Sequence, residues 1–293
     1  MSFTSSTSPS TENVSSADNQ QETLHARNYY FTGFCCGEIS VSIIKDKSNS
    51  GSGIRYYPDI TISNADLNLL REVNAAIGES QGRIHPIKGG YNLSFRGKRK
   101  VMLILNFFRR YPPIVGDLVH CRLSLMQSAL YVLEAKKGRN RTSYQTREIE
   151  KIRHWLRIIK RKGQSFFDYP GIRTNKNAVG YFLAGVLDAE GSVGMKANGS
   201  NGQPFLALAM KDKKIVDLFQ HFCQTGKVRF RPNDGVYHFE IGSRELVLNM
   251  LTLFTIYYPF RLTKMKQRVK NVQRILNDYT PDSVVAIHGN DIV

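Results

Sequence analysis

Cysteine is scarce in this chain of 293 residues, and its four copies are Cys35, Cys36, Cys121 and Cys223. Adjacent cysteines rarely bridge, and no pair has the CxxC spacing typical of zinc and redox sites. The sequence therefore supports neither a disulfide framework nor a cysteine-based zinc site. We expect four reduced, buried thiols in a reducing compartment.

Long hydrophobic runs and acidic residues are also in short supply. No segment approaches the roughly 20 apolar residues of a membrane span, so we expect no integral membrane protein. The chain has 24 Asp and Glu against 41 Lys and Arg, a formal net charge of +17. This excess predicts a polyanionic partner, with nucleic acid first and an anionic membrane surface second. The hydrophobic content of 41% supplies a packed core and excludes wholesale disorder.

The two ends of the chain differ in composition from the rest. Residues 1–28 are rich in Ser, Thr, Asn and Gln, which predicts a disordered tail, and residues 280–293 predict a second tail. The first segment lacks the apolar run of a secretory signal and the arginine-rich character of a transit peptide. We therefore expect an intracellular protein, in an organelle or a prokaryotic cytoplasm, that is not secreted.

From residue 29 the chain reads as two similar halves, residues 29–134 and 178–279. Each begins with an apolar helix, continues through two alternating strands, a helix and a hairpin, and ends with a helix that stops at a Tyr-Pro pair. The tyrosines of these pairs, Tyr111 and Tyr258, are 147 residues apart, and Glu38 and Glu190 are 152 apart. Because both the order and the spacing repeat, we predict an α+β fold of two pseudo-symmetric αββαββα repeats.

A basic connector, residues 135–177, joins the halves. Between Lys136 and Lys162 it holds eleven Lys or Arg and only two acids. Apolar residues at helical spacing predict an amphipathic helix there; they are Ile149, Ile152, Leu156 and Ile159. The helix could be a solvated surface element or could contact phosphates, and the one-sided charge favours phosphate contact.

Small residues lie four apart in the first helix of each half: Gly33 and Gly37 in one, Gly185 and Ala189 in the other. Small residues let two helix backbones approach closely, and an interior glycine otherwise costs about 1 kcal/mol. The pattern therefore predicts that these two helices cross and form the seam between the halves.

Glu38 and Glu190 end the two helices, where a carboxylate opposes the helix dipole. Crossing the helices brings both carboxylates towards the pseudo-twofold axis, where like charges repel unless a cation lies between them. Hard divalent cations with oxygen ligands, Mg²⁺ above all, meet that requirement. Taken singly, either glutamate could be solvated or protonated, but the pair predicts a metal site.

The segment LAGVLDAEG (183–191) resembles the signature of the LAGLIDADG homing endonucleases, and FTGFCCGEI (31–39) resembles a degenerate copy. The resemblance implies a monomer without an obligate protein partner, whose sheets form a saddle over double-stranded DNA. It implies that Glu38, Glu190 and the backbone near Gly37 and Ala189 hold Mg²⁺, with Mn²⁺ as a substitute. The implied activity is site-specific hydrolysis of both strands, with 5′-phosphate, 3′-hydroxyl and 3′-overhanging ends, in support of intron mobility.

Other site residues follow from the same resemblance. In PFRLTKMKQ (259–267), Lys264 occupies the place of a catalytic lysine, with Lys266 as an equal contender. At the matching first-half position we expect Ser124 or Leu125, so the two strands should be cut at different rates. A polar residue is also expected at the end of each second strand, from Ser63 or Asn64 and from Met210 or Lys211. Asp188, whose first-half counterpart is Cys36, is expected to make a structural hydrogen bond only.

Period-2 alternation turns polar residues to one face of each predicted sheet. Each of these could lie on a solvated strand face, but together they form two ribbons of the residue types that read base edges. The predicted DNA contacts are Arg55, Tyr57, Arg83, His85, Asn92, Ser94 and Arg96 in the first half, and Ser192, Lys196, Asn198, Lys227, Arg229, Arg231, His238 and Glu240 in the second.

Two other functions fit the same scaffold. One is an RNA-binding intron maturase, which would not need the retained pair Glu38 and Glu190. The other is a non-catalytic DNA-binding protein, for which an added helix-turn-helix would be the mark, and the sequence offers no convincing one. The carboxylate pair therefore favours the nuclease.

Overall fold

The computed structural model describes residues 15–47, 54–134, 142–197 and 202–278. The first half consists of α1 (Ser15–Glu38), β1 (Ile39–Lys47), β2 (Ile54–Asn64), α2 (Leu67–Gly78), β3 (Arg83–Ile87), β4 (Gly90–Arg96), α3 (Lys98–Arg110) and α4 (Asp117–Glu134). The connector contains α5 (Ser143–Lys162). The second half consists of α6 (Lys176–Glu190), β5 (Gly191–Lys196), β6 (Gln203–Met210), α7 (Lys213–Cys223), β7 (Lys227–Arg231), β8 (Val236–Ile241), α8 (Arg244–Tyr257) and α9 (Thr263–Asp278).

Each half contains one antiparallel sheet of four strands, in the order β1-β2-β4-β3 and β5-β6-β8-β7. The α+β fold of two pseudo-symmetric repeats is therefore confirmed. Each repeat is one helix longer than predicted, because α4 and α9 follow the Tyr-Pro pairs. These two helices pack on the first strands of the sheets, α4 on β1 and α9 on β5.

The sheets bury one face each against their own helices. In the first sheet Ile60, Ile62, Leu93 and Phe95 are fully buried, and they alternate along β2 and β4 with more exposed residues. The side-chain alternation of a strand then turns every second residue to the opposite face. The core therefore fixes which residues remain available to a partner.

The predicted seam between the halves is formed by α1 and α6, which cross in close contact. A methyl group added to Gly33 would lie 1.9 Å from the carbonyl oxygen of Phe182. A methyl group added to Gly185 would lie 2.0 Å from the carbonyl oxygen of Tyr30. Glycine is required at both positions because the two backbones touch there.

The prediction of a disordered tail over residues 1–28 is wrong for residues 15–28, which belong to α1. Ala26 is buried, the ring of His25 lies 4.9 Å from that of Tyr111, and Arg27 Nε donates to Tyr181 Oη at 3.4 Å. These partners are distant in sequence, so the local composition does not reveal them. Residues 1–14 and the predicted second tail lie outside the described residues, which end at position 278.

The connector forms the predicted amphipathic helix, whose apolar residues Ile149, Ile152, Leu156 and Ile159 are all buried. Helix α5 lies along the free edge of β1. Arg153 Nε donates to the carbonyl oxygen of Ile43 at 2.9 Å, and Lys160 Nζ donates to Ser40 Oγ at 3.2 Å. The helix therefore covers the edge strand and brings cations to the flank of the first sheet.

The four cysteine side chains are buried, as predicted. Burial raises the pKa of the Cys36 thiol well above its usual value and that of Cys223 to about 12. Both groups therefore stay neutral at physiological pH and act as small apolar side chains. None of the helices in the described segments is both long and apolar enough to cross a membrane.

Candidate functional site

Glu38 and Glu190 meet where the two seam helices end. The side chain of Glu190 lies against Gly37, so closely that a methyl group on Gly37 would lie 2.7 Å from Glu190 Cγ and 3.1 Å from Oε1. Glu38 follows Gly37 directly and is the last residue of α1, as Glu190 is of α6. The structure thus places the Glu190 side chain against the end of α1, close enough for its charge to act on Glu38.

The surroundings of both carboxyl groups disfavour negative charge. Burial raises the pKa of Glu38 to about 7; the nearby charge of Glu190 adds to this rise, and a hydrogen bond from Asn64 opposes it. Glu190 is more exposed, yet burial of its carboxyl group raises its pKa as well. Carboxylates in such surroundings are stabilised by a bound proton or by a nearby cation.

The donor set fits a divalent cation that is only partly held by protein. Among the described residues, no cluster of three or more His, Cys, Asp or Glu could hold a metal ion. A cation held by Glu38 or by Glu190 would therefore take its remaining ligands from backbone carbonyls, water and a bound phosphate. This is the usual coordination of Mg²⁺, which keeps several waters and binds through one or two carboxylates.

The raised pKa of Glu38 predicts a pH dependence of stability. Between pH 4.5 and about 7 the folded protein retains a proton on Glu38 that the unfolded chain has released. The free energy of unfolding therefore falls as pH rises through this window. In Glu38→Gln this fall should shrink by about 2 kcal/mol between pH 5 and pH 8, allowing for partial exposure of the carboxyl group.

Urea unfolding at the two pH values, without divalent cations, measures this difference. Glu240→Gln is the matched control, because Glu240 lies on the open face of the second sheet and pairs with Lys196. An equal pH dependence in wild type and Glu38→Gln would contradict the raised pKa.

Asn64, at the end of β2, contacts the site directly. Its Nδ2 donates to Glu38 Oε1 at 2.9 Å, whereas Ser63 Oγ donates to Asn92 Oδ1 at 2.6 Å. Of the two residues predicted for this place, the structure thus brings Asn64 to Glu38. In the second half Met210 pairs with Tyr237 as Asn64 pairs with Tyr91, so Met210 holds the equivalent place.

The other second-half candidate, Lys211, points away from this position. Its Nζ donates to the carbonyl oxygen of Arg161 at 3.1 Å, and its side chain packs on Gly163. Lys211 therefore joins the end of β6 to the end of α5. The two halves of the site therefore differ. Glu38 receives a hydrogen bond from the side-chain amide of Asn64, whereas Met210, at the equivalent place in the second half, has no amide.

Lys264 is the second residue of α9 and is exposed, as is Lys266. The prediction that Ser124 or Leu125 matches Lys264 is wrong. Buried residues repeat with the same spacing in α4 and α9: Val119, Leu123, Met126 and Leu130 in one, Met265, Val269, Val272 and Leu276 in the other. This register places Leu118 opposite Lys264 and His120 opposite Lys266. The first half still has no lysine at that position.

The predicted DNA contacts that the structure describes lie on the faces opposite the core. In the first sheet Ser94 pairs with Arg83 and Asn92 with His85; in the second Glu240 pairs with Lys227 and His238 with Arg229. Arg55, Tyr57, Arg96, Ser192, Lys196 and Arg231 share these faces, and Asn198 lies outside the described residues.

Some of these charges are already paired within the protein. Arg96 Nε lies 3.3 Å from Asp59 Oδ1, Arg231 lies 2.9 Å from Asp234, and Lys196 pairs with Glu240. The pairs hold long side chains in defined positions on the open faces, although exposed pairs of this kind contribute little to stability. The candidate site as a whole therefore consists of two polar sheet faces with the carboxyl groups of Glu38 and Glu190 between them.

Neither a protein-family model nor a curated protein sequence matches this chain. Solved structures do. The LAGLIDADG homing endonuclease I-GzeII in complex with its DNA target matches with a TM-score of 0.70 and 18% identity, over 85% of this chain and 89% of that chain. The chain has the LAGLIDADG homing endonuclease fold.

Two further structures have the LAGLIDADG fold with similar agreement. I-SmaMI bound to an uncleaved DNA target in the presence of calcium ions matches with a TM-score of 0.68 and 16% identity, over 86% of this chain and 92% of that chain. I-LtrWI bound to target DNA matches with a TM-score of 0.67 and 16% identity, over 87% of this chain and 90% of that chain. At these identities the similarity is one of fold.

Within the LAGLIDADG fold of this chain Asp188 has the structural role expected of it. Its Oδ2 accepts from Tyr30 Oη at 2.5 Å and from the backbone N–H groups of Arg261 and Leu262 at 2.6 and 3.0 Å. Its Oδ1 is buried and has no hydrogen-bond partner within the described residues. Burial raises its pKa to about 6, and the three hydrogen bonds oppose this. Asp188 thus ties α1, α6 and the segment before α9 together.

Asp188→Ala should be strongly destabilising, because the buried Tyr30 hydroxyl and two partly buried backbone N–H groups lose their acceptor. We expect a loss of about 3–5 kcal/mol. Asp188→Asn should lose less than half as much, since the amide oxygen can accept the same bonds while its NH₂ group replaces the unpartnered Oδ1. Urea unfolding of both variants at pH 7 measures the difference, and equal losses would contradict the structural role of Oδ2.

Two aspartates that join the halves were not predicted from the sequence. Asp66 and Asp212 precede α2 and α7, where Asp is a common helix N-cap. Asp66 Oδ2 accepts from the backbone N–H of Thr263 at 3.0 Å, and Asp212 Oδ2 accepts from that of Leu118 at 2.8 Å. The N-cap position of both residues could be inferred from the sequence, although only Asp66 also caps its own helix. The bond to the opposite half could not be inferred.

Proposed function

We propose that this protein is a site-specific DNA endonuclease that hydrolyses both strands of a long double-stranded target, with one glutamate serving each strand. The observation that carries the proposal is the meeting of Glu38 and Glu190 at the ends of two crossed helices, between two open polar sheet faces. The solved structures cited above are LAGLIDADG homing endonucleases bound to DNA, which supports the same reading.

Binding of a duplex follows from charge and shape. The net charge of +17 favours contacts with phosphates. The contribution of such contacts to affinity weakens as salt is added. Arg83, Arg229 and Asn92 on the open faces are residue types that read base edges in the major groove. Because both halves lie in one chain, a monomer presents both sheets to one target. Cations of α5, including Lys160 beside β1, would add phosphate contacts at the flank.

Glu38 and Glu190 would each hold Mg²⁺, or Mn²⁺ in its place, together with backbone carbonyls near Gly37 and Ala189. When bound, such a cation stabilises negative charge on the scissile phosphate and lowers the pKa of bound water. Asn64 fixes the orientation of the Glu38 carboxylate through its hydrogen bond. Lys264 would stabilise the charge that develops on the phosphate oxygens.

The products would be 5′-phosphate and 3′-hydroxyl ends with 3′ overhangs, cut across the minor groove below the two acids. Cutting of this kind would promote the mobility of a host intron. An RNA-binding maturase or a non-catalytic DNA-binding protein on the same scaffold would bind nucleic acid but would not need the two glutamates.

Selection from a randomised duplex library in Mg²⁺ tests this function and identifies the target. Cleaved molecules are captured by ligation to their new ends and sequenced. We expect one long, partly asymmetric target sequence to be enriched, and no enrichment with the double variant Glu38→Gln/Glu190→Gln. Enrichment of bound but uncut DNA alone would contradict the nuclease and favour a binding protein.

Replacing Lys264 by Met should slow one strand selectively, by about 10²-fold if the lysine acts as a charge-stabilising donor. In the wild type, nicked plasmid should accumulate before linear product, because Leu118 stands opposite Lys264 in the first half. A time course with strand-specific labels measures both effects. Lys266→Met is the matched control, and equal effects of the two variants would make Lys264 part of the general basic surface.

A further inference from the structure

Three hydrogen bonds connect the Glu38 carboxylate to helix α9 of the other half. Asn64 Nδ2 donates to Glu38 Oε1 at 2.9 Å. Asn64 Oδ1 accepts from the backbone N–H of Asp66 at 2.9 Å. Asp66 Oδ2 accepts from the backbone N–H of Thr263, the first residue of α9, at 3.0 Å. Lys264 is the next residue, so the chain of bonds ends beside it.

The hydrogen bonds on both sides of the Asn64 amide fix its orientation. Because its oxygen accepts from the Asp66 N–H, its NH₂ group is the one presented to Glu38. Asp66 is held in turn: its Oδ1 accepts from the N–H groups of Asn68 and Leu69, both at 3.1 Å, and caps α2. Asp66 therefore serves two helix starts at once, one in each half of the protein.

The second half has a counterpart of the bond between Asp66 and the start of α9, but it has no counterpart of the bond between Asn64 and Glu38. Asp212, which stands 146 residues after Asp66, accepts from the N–H of Leu118 at the start of α4. Met210 stands 146 residues after Asn64, and its thioether has no proton to donate. No equivalent chain can therefore reach Glu190 through Met210, and the two carboxylates are supported unequally.

We propose that Asp66 is a positioning residue that fixes Asn64 against Glu38 and seats the start of α9, with Lys264, beside the same half of the site. The Glu38 half is then the better organised, and the strand that Glu38 serves is cut first. This inference rests on the proposed nuclease function and adds to it the residue that orders the two cuts.

Asp66→Asn separates positioning from folding. The amide oxygen can still cap α2, since Asn and Asp are equivalent N-caps. Its NH₂ group cannot accept from Thr263, so only the bond between the halves is lost. Asp212→Asn is the matched control, because the corresponding series of hydrogen bonds in the second half is already interrupted at Met210. Asn64→Met is a second variant; it breaks the chain at its other end and copies the second-half residue.

The experiment measures single-turnover cleavage of the selected target, labelled on either strand, together with the Kd for that duplex and the midpoint of thermal unfolding. The Glu38 strand is defined as the one that Glu38→Gln fails to cut. We expect Asp66→Asn and Asn64→Met to slow this strand about tenfold with Kd unchanged, as misplacement of a reacting group does. Asp212→Asn should leave the ratio of the two strand rates as in the wild type.

Equal slowing of both strands by Asp66→Asn, or the same change in strand ratio with Asp212→Asn, would overturn the positioning role and leave a structural one. Unchanged rates in Asp66→Asn and Asn64→Met would overturn it as well. Failure of the nuclease proposal looks different, because Glu38→Gln and Glu190→Gln would then not separate the strands at all.

Discussion

Glu190→Gln is expected to abolish cutting of one strand of the target while the other strand is still cut. The glutamine keeps the size of the side chain but loses the charge that would hold a cation. Loss of the cation removes several kcal/mol of transition-state stabilisation, which corresponds to a rate loss of roughly 10³-fold or more. Affinity for the duplex should change little, because the sheet faces that we propose bind DNA are separate from the carboxylate pair. Denaturing gels with each strand labelled in turn measure the two rates.

Glu38→Gln should affect the opposite strand. Glu79→Gln is the control for a lost surface carboxylate, because Glu79 is exposed and directly follows α2. In plasmid assays each single catalytic variant should give nicked circles without linear product. If both single variants still linearised the plasmid, the assignment of one glutamate to each strand would fail. Loss of binding without a change in the rate of bound complexes would also count against it.

Gly185→Ala is expected to prevent folding. The added methyl group would lie 2.0 Å from the carbonyl oxygen of Tyr30 and 2.7 Å from the backbone nitrogen of Phe34. Both atoms belong to the backbone of α1, so relief requires the two seam helices to move apart and opens the centre of the core. We expect a loss of about 4 kcal/mol or more, enough to unfold a marginally stable protein.

Gly194→Ala is the matched control, because its methyl group would lie 3.0 Å from the ring of Phe205, a side chain that can move. Its effect on stability should stay below about 1 kcal/mol. Soluble yield and urea unfolding compare the two variants. Equal stability of Gly185→Ala and Gly194→Ala would contradict the close crossing of α1 and α6.

Much of the seam could be predicted because its signals are local. Gly33 and Gly185 lie at helical positions where glycine has no other advantage, and the same order of elements follows each of them. Glu38 and Glu190 end these helices, so their meeting follows once the helices cross. The open sheet faces are likewise predictable, since period-2 alternation decides which residues the core buries.

Features that depend on contacts between the halves could not be predicted. His25 and Arg27, in the segment predicted to be a tail, contact Tyr111 and Tyr181, which no local pattern connects to them. The counterpart of Lys264 differs from the predicted one because a further helix, α4, follows the Tyr-Pro pair, and only its burial pattern sets the register. The bond from Thr263 to Asp66 requires the folded arrangement of both halves.

Strand-resolved cleavage of the selected duplex by the wild-type protein is the most direct test of metal-dependent hydrolysis of both strands. Each strand is labelled at its 5′ end and incubated with Mg²⁺ or with EDTA, and the products are mapped to the nucleotide and tested for ligation. We expect one cut per strand, offset to leave 3′ overhangs, with ligatable 5′-phosphate and 3′-hydroxyl ends, and no cut in EDTA. Tight binding of the duplex with both strands intact in Mg²⁺ would contradict this expectation.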